Sequence, residues 1–262
     1  MSQRLAAELA FARELADLAD EITSAAFGQH HRDNAQTKAD GTWVTEADRA
    51  VERAIRTAIA ERFPDHAVLG EEDGLSGDPD APRWVIDPID ATSNFVRGNP
   101  VFATLIGLQV DGEDALGVVS APALGHRWDG VVGVGAHRDG SPIHVSGVTE
   151  LASSEVSFGD LDWWRSQGRW GAVERLVDAT DRVRSYGDFW AHCLVASGST
   201  EIAAEAAVST WDLVAVRALV VAAGGTATDL DGVPTASGGN VLTSNGHVHE
   251  AALDVVRAAS TT

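Results

Sequence analysis

Two aspartates stand three positions apart in Trp84-Val85-Ile86-Asp87-Pro88-Ile89-Asp90-Ala91-Thr92-Ser93-Asn94-Phe95. An apolar, β-branched run leads in, a proline separates the acids, and small hydroxyl residues follow. This order predicts a buried strand, a tight turn and the start of a helix, with Asp87 and Asp90 facing one concavity. Carboxylates that close repel each other unless a cation lies between them or one takes up a proton. Hard oxygen ligands beside a helix N-terminus suit Mg²⁺ together with a phosphate group, whose oxygens the free backbone N–H groups bind. Two further acidic spots fit the same chemistry. Ala67-Val68-Leu69-Gly70-Glu71-Glu72 is a short apolar strand ending in two glutamates, and Ser209-Thr210-Trp211-Asp212 opens an apolar helix running to Gly224-Gly225. Taken singly, an acid in a first turn serves the helix dipole and paired glutamates face water. Together, Glu71, Asp87, Asp90 and Asp212 each stand at the end of a buried element and point to one metal site.

The elements that must position these acids can be read from periodicity. Leu5, Leu9, Leu15, Leu18 and Ile22 have helical spacing over residues 2–27, stopped near Gly28. Thr45 is an N-cap candidate for a second helix that reaches Arg62, with Val51, Ile55 and Ile59 on one face. The Gly-, Pro- and Asp-rich residues 73–83 predict a surface loop. Strands are expected at residues 101–110, 115–120, 131–134 and 143–145, with hairpin signals at Asp111-Gly112 and Asp139-Gly140. That is an antiparallel meander with two helices on one side, an α+β half over residues 1–149. Residues 150–262 alternate strands (155–158, 183–185, 202–204) with helices (171–179, 189–197 and the Asp212 helix), then short strands after Gly225, an α/β half. Trp163, Trp164, Trp170, Trp190 and Trp211 are expected in the core, because no basic groove accompanies them.

Composition narrows the function. The 262 residues carry a formal net charge of −20, which argues against nucleic acid or an anionic membrane as partner. An anionic substrate is then repelled in general, and bound divalent metal supplies the local cation it needs. Cys193, the single cysteine, excludes an internal disulfide and lies in an apolar helical run, so a buried thiol is expected. Neither a secretory leader nor an apolar run of membrane-spanning length is apparent, and a cytoplasmic protein is expected. His30, His31, His247 and His249 lie in polar surroundings and are expected in water.

Gly70-Glu71-Glu72, Asp87-Pro88-Ile89-Asp90-Ala91-Thr92-Ser93-Asn94-Phe95 and Trp211-Asp212 with Ala223-Gly224-Gly225 resemble, in order and spacing, the Mg²⁺-dependent, lithium-sensitive phosphatases of the inositol-monophosphatase type. A narrower resemblance is to the histidinol-phosphate phosphatases built on the same fold, through Phe95-Val96-Arg97-Gly98, Val118-Val119-Ser120-Ala121-Pro122-Ala123-Leu124 and Arg184-Ser185-Tyr186-Gly187-Asp188-Phe189. The resemblance implies a layered αβαβα sandwich, phosphomonoester hydrolysis, two or three Mg²⁺ per subunit with Mn²⁺ as a possible substitute, and a homodimer. It implies that Glu71, Asp87 and the Ile89 carbonyl hold one metal and that Asp87, Asp90 and Asp212 hold another. Ala91 and Thr92 backbone N–H groups would bind phosphate, with Lys38 nearby; an exposed loop lysine is the other reading of Lys38. Thr92, paired with Asp48, would orient the attacking water, whereas Asp48 could equally serve its own helix start. Glu72 would add a proton relay or a weaker metal site.

Leaving-group recognition falls by resemblance to Gly187, Asp188 and Glu205, with Trp128 reaching a neighbouring subunit. The two acids suit the ammonium and imidazole of histidinol phosphate, and a helix cap is the alternative for Asp188. An inositol phosphate, fructose bisphosphate or 3′-phosphonucleotide substrate, and an inactive metal- or phosphate-binding protein, remain open at this point. The chain also departs from the family pattern. Ala91 stands where glycine is usual, costing about 1 kcal/mol if the backbone there is left-handed and nothing if it is helical. Ser93 replaces threonine or lysine, and Ala222 replaces glutamate.

Overall fold

The computed structural model describes residues 5–28, 35–38 and 43–258. His30 and His31, and residues 39–42 beside Lys38, lie outside them. Helices α1 (Ala6–Ala26) and α2 (Glu46–Arg62) are separated by a small antiparallel pair, β1 (Gln36–Thr37) and β2 (Trp43–Val44). Next come β3 (Ala67–Gly70), β4 (Gly74–Ser76), β5 (Arg83–Asp90) and the short helix α3 (Thr92–Arg97). The meander β6 (Ala103–Val110), β7 (Glu113–Ala121), β8 (His126–Val131), β9 (Gly135–Arg138) and β10 (Ser141–Ile143) completes an eight-stranded sheet in the order β10-β9-β8-β7-β6-β5-β3-β4. The remainder is β11 (Glu155–Phe158), α4 (Leu161–Ser166), α5 (Trp170–Ala179), β12 (Arg182–Arg184), α6 (Asp188–Ala196), β13 (Ile202–Glu205), α7 (Thr210–Ala222), β14 (Thr226–Thr228), β15 (Val241–Ser244) and α8 (His249–Arg257). Its strands form a second, mixed sheet ordered β12-β11-β13-β15-β14.

The side-chain alternation of the strands builds five layers. Ile86, Ile106 and Leu108 point outward onto Leu15, Val51 and Ile55 of α1 and α2. Leu105 and Val119 point the other way, onto Val216 and Leu219 of α7 and Phe189 of α6, and Ala203 of the second sheet joins the same cluster. The far face of that sheet, with Val156, Phe158 and Ile202, is covered by Leu176 of α5 and Leu253 of α8. The layers are therefore α, β, α, β, α. Helix α7 lies unusually close to the first sheet because β6 and β7 present glycines to it. A Cβ on Gly107 would stand 2.5 Å from the Val214 side chain, and one on Gly117 would meet the Ala215 backbone.

Several local expectations shift. The predicted loop at 73–83 contains β4, a short edge strand that turns back on β3 with Gly70 opposite Gly74. The strand predicted at 131–134 is instead the end of β8; Gly133 (φ 76°) and Gly135 (φ 146°) turn the chain there into β9. Trp164 is buried, whereas Trp163 is 42 % exposed. His247 is exposed as expected, but His249 is buried between Thr228 Oγ1 at 3.0 Å and Ser244 Oγ at 2.9 Å, so polar neighbours in sequence signalled hydrogen-bond partners rather than water. Cys193 is buried and free. Among the described residues no helix is long and apolar enough to cross a membrane.

Candidate active site

Strand β5 runs through the first acidic pair without stopping. Asp87 lies opposite Leu105 and Asp90 opposite Ala103, so three steps on β5 face two on β6. This bulge accommodates Pro88, which has no N–H to give to the ladder. The Pro88 carbonyl accepts a hydrogen bond from Thr104 Oγ1 at 2.7 Å, and the Ile89 carbonyl accepts one from Thr92 Oγ1 at 2.9 Å. Ala91 then turns the chain into α3 with φ 61° and ψ 46°, a left-handed conformation. The position is thus of the kind that favours glycine, and alanine carries the strain that the sequence left open.

Asp212 arrives from the other side of the layered core. It is the third residue of α7, and its Oδ2 accepts the Ser209 N–H at 2.7 Å, closing a capping box. Asp87, Asp90 and Asp212 each present a carboxylate oxygen within 4.8 Å of the others. Asp87 is 2 % exposed, and its Oδ1 has no hydrogen-bond partner. Burial first, then the charges of Glu71, Asp90 and Asp212, push its carboxyl well above the usual range. Asp90 is raised in the same way, by burial and then by Asp188 and Asp212, and Asp212 is raised to about 7, chiefly by burial. An orphaned buried oxygen among closely spaced hard donors fits a divalent cation of the Mg²⁺ type.

Glu71 follows β3, its N–H continuing the strand to the Ile86 carbonyl at 3.2 Å. Its carboxylate neighbours Asp87, but Lys38 Nζ also reaches it at 2.7 Å and reaches Glu72 at 2.5 Å. Burial opposes the charge on Lys38, yet these hydrogen bonds outweigh it and raise its pKa. Lys38 is therefore not a free loop lysine; it pairs with both glutamates and offsets part of their charge. Glu52, fully buried on α2, accepts the N–H groups of Glu72 at 2.8 Å and Asp73 at 3.0 Å and so anchors the turn bearing Glu71. Nothing local in the sequence marked that role.

Asp48 caps its helix and also lies beside Thr92. Its Oδ2 accepts the Thr45 N–H at 2.7 Å and the Thr45 hydroxyl at 2.6 Å, capping α2. Its Oδ1 faces Thr92 Oγ1 at 3.4 Å, a longer contact than the hydroxyl makes with Ile89. Burial raises Asp48 to about 6 against the lowering effect of the Thr45 hydrogen bonds, with Glu71 and Glu72 adding to the rise.

The acids line a cavity of about 530 Å³ together with Asp188, Glu205, His192, Asp160 and Trp163. A second cavity of about 460 Å³ adjoins it, sharing Ala91, Ser93, Asp160 and Asp188 and bordered further by Gly187, Tyr186 and Trp190. Asp188 does not cap α6. Gly187 occupies the cap position, no side chain caps it, and Asp188 itself is left-handed at φ 50°. The Phe189 N–H is instead taken by Asp90 Oδ2 at 2.8 Å. Asp188 is raised to about 7 by burial, then by Glu205, Asp212 and Asp160.

Trp128 is corrected: it is 1 % exposed, packed in the core of its own chain, with its indole N–H on Ser197 Oγ at 3.1 Å. A large apolar ring in mid-strand is claimed by the nearest core. Sequence reasoning missed His192, Asp160 and Trp163. His192 stands one helical turn after Asp188, a spacing that puts both on one face and could have found it.

A model of the inositol monophosphatase family matches residues 5–261. The chain is 47 % identical to the histidinol-phosphatase of Mycobacterium tuberculosis, covering 94 % of this chain and 96 % of that one. It is 42 % identical to the histidinol-phosphatase of Streptomyces coelicolor, over 93 % and 94 % of the two chains. The inositol monophosphatase structure from Anabaena (Nostoc) superposes with a TM-score of 0.84 at 31 % identity, covering 97 % of this chain and 96 % of the other.

Proposed function

The chain belongs to the inositol monophosphatase family and is a phosphoric monoester hydrolase, and from that premise we propose that its substrate is L-histidinol phosphate, cleaved to L-histidinol and phosphate. One observation supports the choice: Asp188 and Glu205 line the same cavity as Asp87, Asp90 and Asp212. A phosphate needs cations, whereas an ammonium and an imidazole need acids, and one cavity offers the means for both.

Asp87, Asp90 and Asp212 would hold Mg²⁺, with Glu71 and the Ile89 carbonyl completing two or three ion positions, and Mn²⁺ could substitute. Bound there, the cation offsets phosphate charge and makes a water acidic enough to attack at neutral pH. The chain's own groups do the rest. Ala91 and Thr92, at the start of α3, lie where phosphate oxygens would rest. Thr92 and Asp48 orient the water and hold its proton as its oxygen bonds phosphorus. The ester P–O bond breaks on the opposite side, and the leaving alkoxide takes up a proton. Asp188 and Glu205 pair with the cationic end of the leaving group and fix it in line. Lys38 offsets part of the charge with which Glu71 and Glu72 would repel the incoming anion. We place the reaction in the cytoplasm and expect a homodimer.

The test is phosphate release from L-histidinol phosphate, myo-inositol 1-phosphate, fructose 1,6-bisphosphate and 3′-phosphoadenosine 5′-phosphate, with Mg²⁺ or EDTA. Preference for L-histidinol phosphate that falls in Asp188→Asn supports the assignment. A faster rate on another ester, indifferent to Asp188, would replace the substrate and keep the hydrolytic chemistry. Tight phosphate binding with no turnover on any ester would remove both.

A further inference from the structure

His192 lies in the middle of α6, 2 % exposed, with both ring nitrogens engaged. Nδ1 is 2.8 Å from Thr243 Oγ1 on β15, and Nε2 is 3.2 Å from Glu205 Oε1 at the end of β13. A carboxylate only accepts, so the proton on that side belongs to Nε2. The Thr243 hydroxyl, itself fully buried, then donates to Nδ1. With the proton on Nε2, the chain Thr243–His192–Glu205 satisfies each of these buried polar contacts.

Glu205 is confined from its other side as well. A Cβ on Gly159 would stand 2.6 Å from Glu205 Oε2, so the carboxylate rests directly on the backbone that follows β11. Between the imidazole and this glycine the carboxylate has little freedom to turn. Both His192 and Glu205 border the cavity that holds the metal-binding acids. A bare aspartate or glutamate on a cavity wall adopts several rotamers, and ordering one on substrate binding costs affinity. Here the ordering is already made by the fold.

We propose that His192 is a specificity-determining positioning residue, which through its Nε2–H and the Thr243 anchor holds the Glu205 carboxylate toward the cationic end of the leaving group. This rests on the substrate reading above, and it separates from it by experiment. His192→Phe keeps the ring and removes the donor, while His192→Gln keeps a donor. With L-histidinol phosphate, His192→Phe is expected to raise KM about tenfold and to change kcat less. Its selectivity for L-histidinol phosphate over glycerol 2-phosphate, as a ratio of kcat/KM, is expected to fall by about the same factor, with His192→Gln recovering most of it. In an Glu205→Gln background His192→Phe should add no further loss, because both changes remove one interaction. In the wild type, ¹⁵N NMR should show His192 protonated at Nε2 and bare at Nδ1, and Thr243→Val should disturb that tautomer.

Unchanged selectivity in folded His192→Phe overturns the proposal, as does full additivity with Glu205→Gln. A wild type without preference for L-histidinol phosphate sinks the substrate reading alone. The tautomer, and the coupling of the two residues on whichever ester is preferred, still decide the positioning role. Should His192→Phe not fold, a tautomer protonated at Nδ1 in the wild type is sufficient to overturn it.

Discussion

Two pairs of helices that begin at the active site begin in two different ways. Helices α2 and α7 start in capping boxes, where the acid at the third position, Asp48 or Asp212, accepts the backbone N–H of Thr45 or Ser209. Helices α3 and α6 start instead beside a residue with a left-handed backbone and a side chain, Ala91 at φ 61° and Asp188 at φ 50°. In the first pair the acid serves the helix and the site at once, so delivering it adds no backbone strain. In the second pair the chain must double back on the cavity, and the geometry is imposed on residues that resist it. Acids can thus be brought to the proposed metal site by ordinary helix chemistry, whereas turning the backbone at Ala91 and Asp188 is what strains this fold.

The largest effect should come from separating the two duties of a capping acid. Asp212→Asn keeps an oxygen for the Ser209 N–H and loses the charge. Turnover should fall by about 1000-fold, with melting temperature close to wild type. Substantial retained turnover in the presence of Mg²⁺ would break the metal assignment.

The next effect is on pH dependence without metal. Asp188 and Asp212, both raised to about 7 chiefly by burial, bind protons more tightly folded than unfolded. The stability they contribute is fully present below the ordinary carboxylate value of about 4 and is lost as pH rises through about 7. In EDTA the protein should therefore melt at a lower temperature at pH 8 than at pH 5, and saturating Mg²⁺ should remove most of the difference. A melting temperature that rises from pH 5 to pH 8 in EDTA would contradict the crowding of uncompensated acids.

Smaller effects bear on the two kinds of helix start. Thr45→Ala removes the oxygen that accepts the Ala47 N–H at 3.1 Å and should lower stability by about 1 kcal/mol in chemical denaturation. Ala91→Gly should act in the opposite sense, adding up to about 1 kcal/mol by relieving the left-handed alanine, or about 2–4 °C in melting temperature. A destabilised Ala91→Gly would mean that flexibility gained by the unfolded chain outweighs the relief.

The acids were legible in the sequence because each sits beside a local signal of a turn or a helix start. Asp87 and Asp90 flank a proline after a β-branched run, and Asp212 follows a capping serine by three positions. The layered architecture was legible through the resemblance, and the helices through the spacing of residues such as Val51, Ile55 and Ile59. What escaped depends on contacts between distant segments. His192 finds Thr243 across 51 positions, and Glu52 holds a turn 20 positions away. No local pattern encodes such pairs. The same holds for Trp128, whose ring looked available until the strands around it closed, and for β4, whose Gly74-Leu75-Ser76 differs from a loop only in lying beside β3.

Asp90 stands at the crossing of these arrangements. Its carboxylate belongs to the acidic trio that joins Asp87 and Asp90 of the first sheet to Asp212 of α7, and one of its oxygens holds the Phe189 N–H at the start of α6, the helix that carries Asp188 and His192. A group shared between two binding events makes them thermodynamically linked, and linkage is reciprocal. Whatever factor the metal contributes to the grip on the leaving group, the leaving group returns to the grip on the metal. On the proposed assignment, the equilibrium binding of metal and of leaving group would thus be coupled through a single side chain.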